Sequence, residues 1–430
     1  MGYVVKLDCA SVILDFNDKS GAAAGQPFTI FKEGEELKHP VTGKSLGRME
    51  IPVAEGSLRE VLPNYSIGVV APAAQPVAVG MRARLKPVVA APAPAPVIAP
   101  HQEVGSLATA RAPLWRSPAF DYQATAFAVA DCRGDGKLEA VVSDGRQVYL
   151  YPYPPQDAKP LAEFAPSSSA PMVVSLQAVD LNGNGRAEIF VSLYNDAFAR
   201  FETVVLELDD KGTLQQIAEI PYLVSGYQDP AGKRQFAAQQ ITDDVSFPFG
   251  AIYPLVYKDG KYGPGKPAVK FLKRQVDWLY DFTFLTLDGK PATVSATSTD
   301  LIRVQFAKGN SWKTAEAYCQ TPIRKRWAGD RMLLFRPALS VVYDQKSGAD
   351  LYAVKNIASF GGLAGPFGLF SRAELHRLDW NGLSLAPSWV AELGGYSTSL
   401  VAVSPPGGTT ELAVMVVGAA GKSSIWTFAP

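Results

Sequence analysis

One unit of sequence occurs twice in this chain and constrains the fold more than any other feature. Residues 127–151 read FAVADCRGDGKLEAVVSDGRQVYLY, and residues 176–195 read LQAVDLNGNGRAEIFVSLYN. Each copy has an apolar strand, an acidic glycine-rich turn and a second apolar strand. The leading aspartates, Asp131 and Asp180, lie 49 residues apart, and repeats of about 50 residues are typical of propeller blades and solenoids. The repeat therefore predicts a fold built from small β-sheets.

Weaker copies continue the pattern along the rest of the chain. They lie at residues 219–258, 281–298, 338–357 and 399–418. Six units in residues 106–430 predict a six-bladed β-propeller, and seven blades are also compatible with the spacing. Too few residues follow residue 392 to complete the last blade. We therefore expect a strand from residues 109–124 to complete it, which would close the ring and leave no exposed edge.

The N-terminal part of the chain has a different character. Residues 1–86 contain seven short strand-like segments separated by glycines, a pattern typical of a small barrel or sandwich. A proline- and alanine-rich tract follows, and alternating prolines favour an extended spacer because proline fixes φ and lacks an N–H. The predicted organisation is all-β, with a small domain at 1–86, a linker at 87–105 and a propeller at 106–430.

The acidic turn of the second copy has the spacing of a calcium-binding loop. Counted from Asp180, oxygen-bearing side chains occupy positions one, three, five and nine, and Gly185 at position six permits a sharp turn. Alternate side chains of a tight loop point towards one centre, and Ca²⁺ prefers oxygen ligands. The predicted ligands are Asp180, Asn182, Asn184, the backbone carbonyl of Arg186, and Glu188.

The first copy departs from this pattern at one position. Asp131, Asp135 and Glu139 match the acidic positions, but Arg133 replaces the oxygen ligand at position three. Two interpretations stay open here. Either the turn binds a second Ca²⁺ through Asp131, Asp135 and Glu139, or it is metal-free and held by bonds between its side chains and its backbone.

Both turns resemble the FG-GAP/VCBS repeats of integrin-type propellers, in which this loop binds Ca²⁺ and locks the blade. The segment GQPFTIFKEGEELKHPVTGKSLGRMEI, residues 25–51, resembles the C-terminal barrel domain of flagellar assembly protein T. The two resemblances together imply a protein similar to delta-proteobacterial envelope proteins, located in the periplasm, associated with the outer membrane, or secreted. The chain opens in strand-like alternation without a charged leader, so we expect any signal peptide to lie outside this sequence.

Composition limits the function classes. The chain has 41 basic and 41 acidic residues, which gives no charge bias towards nucleic acid, and no apolar run long enough to span a membrane. Its three histidines and three cysteines are dispersed, and no motif supplies a nucleophile with its base. We therefore expect a non-catalytic scaffold that uses a propeller face to bind a protein partner of the cell envelope. A lectin-like propeller that binds a glycan is the alternative, and an enzyme with its site in the propeller funnel ranks third.

Overall fold

The computed structural model divides the chain into two compact units, Met1–Glu103 and Val104–Pro430. The predicted linker at 87–105 lies outside the described residues. The residues that the structure describes are 2–8, 11–17, 22–23, 25–38, 45–70, 77–85, 108–166, 171–195, 200–242, 249–272, 276–309, 311–327, 332–344, 348–359, 365 and 368–430.

The first unit is a closed six-stranded barrel with the strand order β1-β2-β5-β4-β3-β6. Its strands are β1 (Gly2–Asp8), β2 (Ser11–Leu14), β3 (Pro27–Lys38), β4 (Ser45–Val61), β5 (Ser66–Val70) and β6 (Arg82–Leu85). Phe28, Ile30 and Leu14 are fully buried in its centre. The predicted barrel is thereby confirmed, and closure leaves none of its strands with a free edge.

The barrel has one strand fewer than the seven predicted segments because Gly56 does not end a strand. It lies inside β4, where a Cβ would stand 2.3 Å from the carbonyl oxygen of Val69 and 2.6 Å from the ring of Phe28. Gly68 on β5 contacts the same ring from the neighbouring strand. Glycine inside a strand often marks such a close approach, so these two positions make room for Phe28.

The second unit is a six-bladed propeller, as the repeat predicted. In blades 1 to 4 each sheet has four antiparallel strands whose chain order is their spatial order. These strands are β9 (Ala126–Ala130), β10 (Glu139–Ser143), β11 (Val148–Pro152) and β12 (Ala162–Phe164) in blade 1; β13 (Pro171–Val179), β14 (Glu188–Asn195), β15 (Arg200–Leu208) and β16 (Leu214–Ile220) in blade 2; β17 (Leu223–Gln228), β18 (Arg234–Ile241), β19 (Phe249–Lys258) and β20 (Lys261–Pro264) in blade 3; and β21 (Phe282–Leu287), β22 (Lys290–Ala296), β23 (Leu301–Phe306) and β24 (Ser311–Ala317) in blade 4.

A short hairpin precedes the last two blades, and each of these blades includes one strand from the start of the unit. The hairpin is formed by β25 (Arg324–Arg326) and β26 (Met332–Leu334). Blade 5 has β27 (Ser340–Asp344), β28 (Gly348–Ala358), β29 (Phe370–Trp380), β30 (Leu385–Leu393) and the added strand β7 (Thr109–Ala110), and blade 6 has β31 (Gly395–Val403), β32 (Glu411–Gly418), β33 (Ser423–Phe428) and the added strand β8 (Trp115–Arg116).

The ring closes as predicted, with an N-terminal strand completing the last blade. Trp115 and Arg116 pair antiparallel with Thr427 and Trp426, and the Arg116 guanidinium carbon lies 3.6 Å from the centre of the Trp426 ring. Thr109 and Ala110 also pair with β30, in parallel. The described residues thus contain a complete six-bladed ring.

Packing between blades explains why many of these strands are apolar throughout instead of alternating. All eight residues of β14 are buried, because blades 1 and 3 cover the two faces of blade 2. Residues of blades 1 and 2 accordingly share one buried cluster that includes Val141, Leu150, Ile189 and Leu206. No helix in the described part of the chain is long and apolar enough to cross a membrane.

Candidate functional site

The turn between β13 and β14 is held by its own side-chain oxygens. Asp180 Oδ1 accepts a hydrogen bond from the N–H of Gly183 at 2.7 Å, and its Oδ2 accepts one from Gly185 at 2.9 Å. Asn182 Oδ1 accepts the N–H of Asn184 at 2.8 Å, and Asn184 Oδ1 in turn accepts the backbone N–H two residues further along the chain, also at 2.8 Å. The predicted ligands therefore share one compact turn.

Glu188 holds the base of this turn and joins it to blade 3. Its side chain is fully buried, and its Oε2 accepts the N–H of Leu181 at 2.7 Å. Its Oε1 accepts the N–H of Asn182 at 3.1 Å and the hydroxyl of Tyr262, on β20, at 2.6 Å. Three donors therefore converge on one carboxylate between two blades.

The turn between β9 and β10 repeats this arrangement at the matching positions. Asp131 accepts the N–H of Gly134 at 2.7 Å and that of Gly136 at 2.8 Å. Glu139 Oε2 accepts the N–H of Cys132 at 2.9 Å. The two copies thus share the two bonds to the leading aspartate and one bond to the acid at position nine.

The copies differ in what contacts the acid at position nine. In the first copy Arg133, which replaces the position-three oxygen, places its Nε 3.4 Å from Glu139 Oε1. Burial raises the pKa of Glu139 to about 7, although the N–H of Cys132 and the charge of Arg133 act in the opposite direction. The Arg133 side chain therefore lies beside the buried Glu139 carboxylate and does not simply extend into solvent.

The two turns contact each other directly. The N–H of Ala187 donates to the carbonyl oxygen of Asp131 at 2.8 Å. Gly134 has a φ of +72°, and a Cβ at that position would lie 2.8 Å from the carbonyl oxygen of Gly185. Glycine is needed at 134 for both reasons, and the two acidic turns form one continuous surface.

The second turn has the donor set of a cation site. Carboxylate and amide oxygens have two lone pairs, so the oxygens of Asp180, Asn182 and Asn184 that accept a backbone N–H keep capacity for an ion. Glu188 Oε1 already takes two donors and has the least capacity left. Within the described residues no three His, Cys, Asp or Glu side chains form a metal cluster. A hydrated Ca²⁺ at this turn would need amide oxygens as ligands in addition to the two carboxylates.

The inner strands of the six blades surround a central channel of about 530 Å³. Its described lining contains only two charged residues, Arg234 and Arg336, and no acidic side chain. Hydroxyl and amide groups supply the other polar contacts, and they include Ser175, Gln177, Ser225, Gln228, Thr398 and Ser399.

The two channel arginines have different surroundings. Arg336 is buried, with its Nε 2.7 Å from Asp281 Oδ1 and its Nη1 2.5 Å from Asp300 Oδ1. A third bond joins its Nη2 to the carbonyl oxygen of Thr297 at 3.2 Å. Burial raises the pKa of both aspartates and Arg336 counteracts this. Arg336 is therefore neutralised by its partners, whereas Arg234 has no such pair among the described residues.

One buried chain of polar groups has the composition of a catalytic relay. The Tyr318 hydroxyl lies 3.2 Å from His376 Nδ1, and His376 Nε2 lies 2.9 Å from Glu374 Oε2. Burial is the main cause that lowers the pKa of His376. The imidazole is only 4% exposed, so its contacts tie blade 4 to blade 5 instead of facing a ligand.

Comparison with known proteins shows distant structural likeness only. No protein-family model matches the chain, and no curated protein matches it. The chain is similar to two crystal structures of BBS1N in complex with ARL6DN, one soaked with mercury (TM-score 0.35) and one soaked with lead (TM-score 0.38). In each case the sequences are 11% identical, and the match covers 75% of this chain and 98% of that chain.

A crystal structure described as that of a 6-phosphogluconolactonase from Bacteroides uniformis ATCC 8492 is 10% identical, with a TM-score of 0.34, and the match covers 93% of this chain and 90% of that chain. With identities and TM-scores this low, the likenesses assign neither a family nor an activity.

Sequence reasoning located the acidic turns but missed the channel. The turn residues are close in sequence and share a motif, so their proximity is visible without a structure. Arg234, Gln177 and Thr398 belong to three different blades and meet only after the ring closes. The sequence gives no signal for Arg234, because Asp229 lies in the same hairpin, and only the structure shows that Asp229 bonds to the turn and to Gln235 instead.

Proposed function

We propose that this protein is a non-catalytic binding protein of the cell envelope, of the FG-GAP/VCBS type, whose propeller presents one face to a protein partner. The proposal rests on an exposed leucine, Leu383, at the end of the propeller where the acidic turns lie. The resemblance of the barrel to that of flagellar assembly protein T supports a location in the periplasm, at the outer membrane or outside the cell.

The proposed binding face is the end of the propeller that carries the acidic turns. In an antiparallel blade the first and third turns lie at the same end, so this face also includes the turn between β29 and β30. Leu383 in that turn is 81% exposed. A protruding leucine within the polar turn of Asn381 and Ser384 gives a partner an apolar anchor beside polar groups.

A structural Ca²⁺ in the turn of Asp180, Asn182, Asn184 and Glu188 belongs to the same proposal. The internal bonds of the turn support it, because they hold the oxygens in place before an ion arrives. The ion would order the face and take no part in chemistry. Asp131, Asp135 and Glu139 are the corresponding residues of the first turn, where Arg133 reduces the attraction for a cation.

Capture of partners from an envelope extract tests the proposed face. The tagged full chain should retain a protein that Leu383→Glu loses, because a charge at the anchor opposes desolvation. Leu369→Glu is the matched control, since Leu369 is 55% exposed in the connection between β28 and β29 at the other end of the same blade.

Two outcomes would contradict the proposal. Equal capture by both variants would remove the assigned face. Saturable binding on a glycan array, without any protein that depends on Leu383, would favour the lectin-like alternative.

A further inference from the structure

Arg234 places an unpaired positive charge in the central channel. It is the first residue of β18, paired across the hairpin with Gln228 of the inner strand β17. Its guanidinium forms no ion pair or hydrogen bond with any described residue, and its close contact is the ring of Phe236, whose centre lies 5.2 Å away. The other channel arginine, Arg336, has two aspartate partners.

The surroundings of Arg234 are those of a position inside a channel. The side chain is accessible to water, yet protein encloses it closely enough for burial to lower the pKa of its guanidinium. No carboxylate is near enough to raise that pKa again. Of the two charged residues in the described lining, Arg234 is the one without an ion pair. A bound anion would supply the charge partner that Arg234 lacks.

Polar side chains line the same channel. Gln177, Gln228 and Thr398 are among them. Gly226 lies between two of the channel side chains, since a Cβ there would stand 3.0 Å from Gln177 Oε1 and 3.5 Å from Arg234 Nε. The Gln177 side chain and the Arg234 guanidinium therefore both lie beside Gly226 on the channel wall. The wall offers amide and hydroxyl groups to a polar ligand.

We propose that the central channel binds a small polyhydroxylated carboxylate, with its carboxylate on Arg234 and its hydroxyls on the channel amides and hydroxyls. One guanidinium presents a planar fork that matches one carboxylate with two parallel hydrogen bonds. A phosphate dianion would keep one uncompensated negative charge beside Arg234, because Arg336 is already paired with Asp281 and Asp300. The volume of about 530 Å³ lies within the range of small-molecule sites.

Calorimetric titration of the full chain with glucuronate and glucose tests the assignment, because the two sugars differ at a single carbon. We expect saturable binding of glucuronate and at least about tenfold weaker binding of glucose, which lacks the carboxylate for Arg234. Inorganic phosphate, which lacks the sugar hydroxyls, should also bind more weakly than glucuronate. Lactate and acetate, which keep the carboxylate but have fewer hydroxyls, should bind more weakly than glucuronate.

Variants identify the residue responsible. Arg234→Gln should weaken glucuronate binding at least about tenfold, and Arg234→Lys should weaken it less because the charge remains. Arg146→Gln is the matched control, because Arg146 is exposed in the turn between β10 and β11, outside the channel lining, and should leave binding unchanged. The proposal is overturned if no carboxylate binds saturably, if glucose binds as tightly as glucuronate, or if folded Arg234→Gln keeps wild-type affinity. None of these results depends on whether a protein partner exists.

Discussion

Replacing Glu188 with Gln should destabilise the propeller far more than replacing Glu139, although both residues hold position nine of their turns. Glu188 accepts three hydrogen bonds, from the N–H groups of Leu181 and Asn182 and from the hydroxyl of Tyr262. Glutamine has the same shape but offers one acceptor oxygen and one donor group. In its better orientation the new NH₂ faces the N–H of Leu181, so two donors are left buried against each other.

The magnitude follows from these bonds. One buried donor without an acceptor costs about 1–3 kcal/mol, and the remaining bonds lose their charge assistance, so Glu188→Gln should cost about 2–4 kcal/mol. In the first turn Glu139 accepts a single backbone N–H, from Cys132, and Arg133 is its other neighbour. Glutamine can keep the bond to Cys132 while Arg133 turns to water. Glu139→Gln should therefore cost less than about 1 kcal/mol.

Differential scanning calorimetry of the two variants beside the wild type measures the difference. With an unfolding entropy of about 2.1 cal/mol/K per residue over roughly 330 residues, 1 kcal/mol corresponds to about 1.5 °C in Tm. Glu188→Gln should lower the Tm of the propeller transition by about 3–6 °C, and Glu139→Gln by much less. Tyr262→Phe removes one of the three donors and should fall between them. Equal shifts for the two glutamine variants would refute the argument that the number of converging donors sets the cost.

Three further predictions follow from the same turns and from the chain organisation. The folded-state pKa of Glu139 is raised from 4.5 to about 7, so the folded protein binds the carboxyl proton more tightly than the unfolded chain does. The contribution of Glu139 to stability therefore falls as pH rises through this window. Urea unfolding at pH 5 and pH 8 should show Glu139→Gln gaining stability relative to the wild type at the higher pH, and a constant difference would contradict the shift. Saturating Ca²⁺ should raise the Tm above its value in chelator by mass action, and Asp180→Ala should abolish this rise while Asp131→Ala leaves most of it. If chelator does not change the Tm, the oxygens only cap the turn. Limited proteolysis should cleave within residues 87–105 and release a folded propeller, and resistance of this tract would argue against a linker there.

The sequence was sufficient to predict the propeller because the information is local and repeated. Apolar strands flank an acidic turn in two clear copies, and the weaker copies at residues 281–298 and 338–357 keep the order of strand, turn and strand. The hairpin between β21 and β22 turns on Asp288 and Gly289, which both have positive φ, as a two-residue hairpin turn requires. Such signals depend on neighbouring residues, so a single sequence reveals them.

Other features were out of reach because they depend on contacts between distant residues. Gly56 has the appearance of a turn glycine in sequence, and only the position of Phe28 shows why it lies within a strand. Arg133 breaks the ligand pattern, but its proximity to Glu139 requires the geometry of the folded turn. The ligand set of the second turn stays a prediction, since chain geometry alone does not test an ion.

The way in which blade 6 is assembled also sets the order of events during synthesis. Trp115 and Arg116 leave the ribosome early, yet the strand they pair with ends at Phe428. More than three hundred residues must be made before that partner exists, and the entropy of closing so long a loop must be offset when the two segments meet. Until then β33 is absent and the ring is open, so a chain that is released early would have blades that do not form a closed ring. Translation to residue 428 is therefore the step that commits the propeller to its closed form.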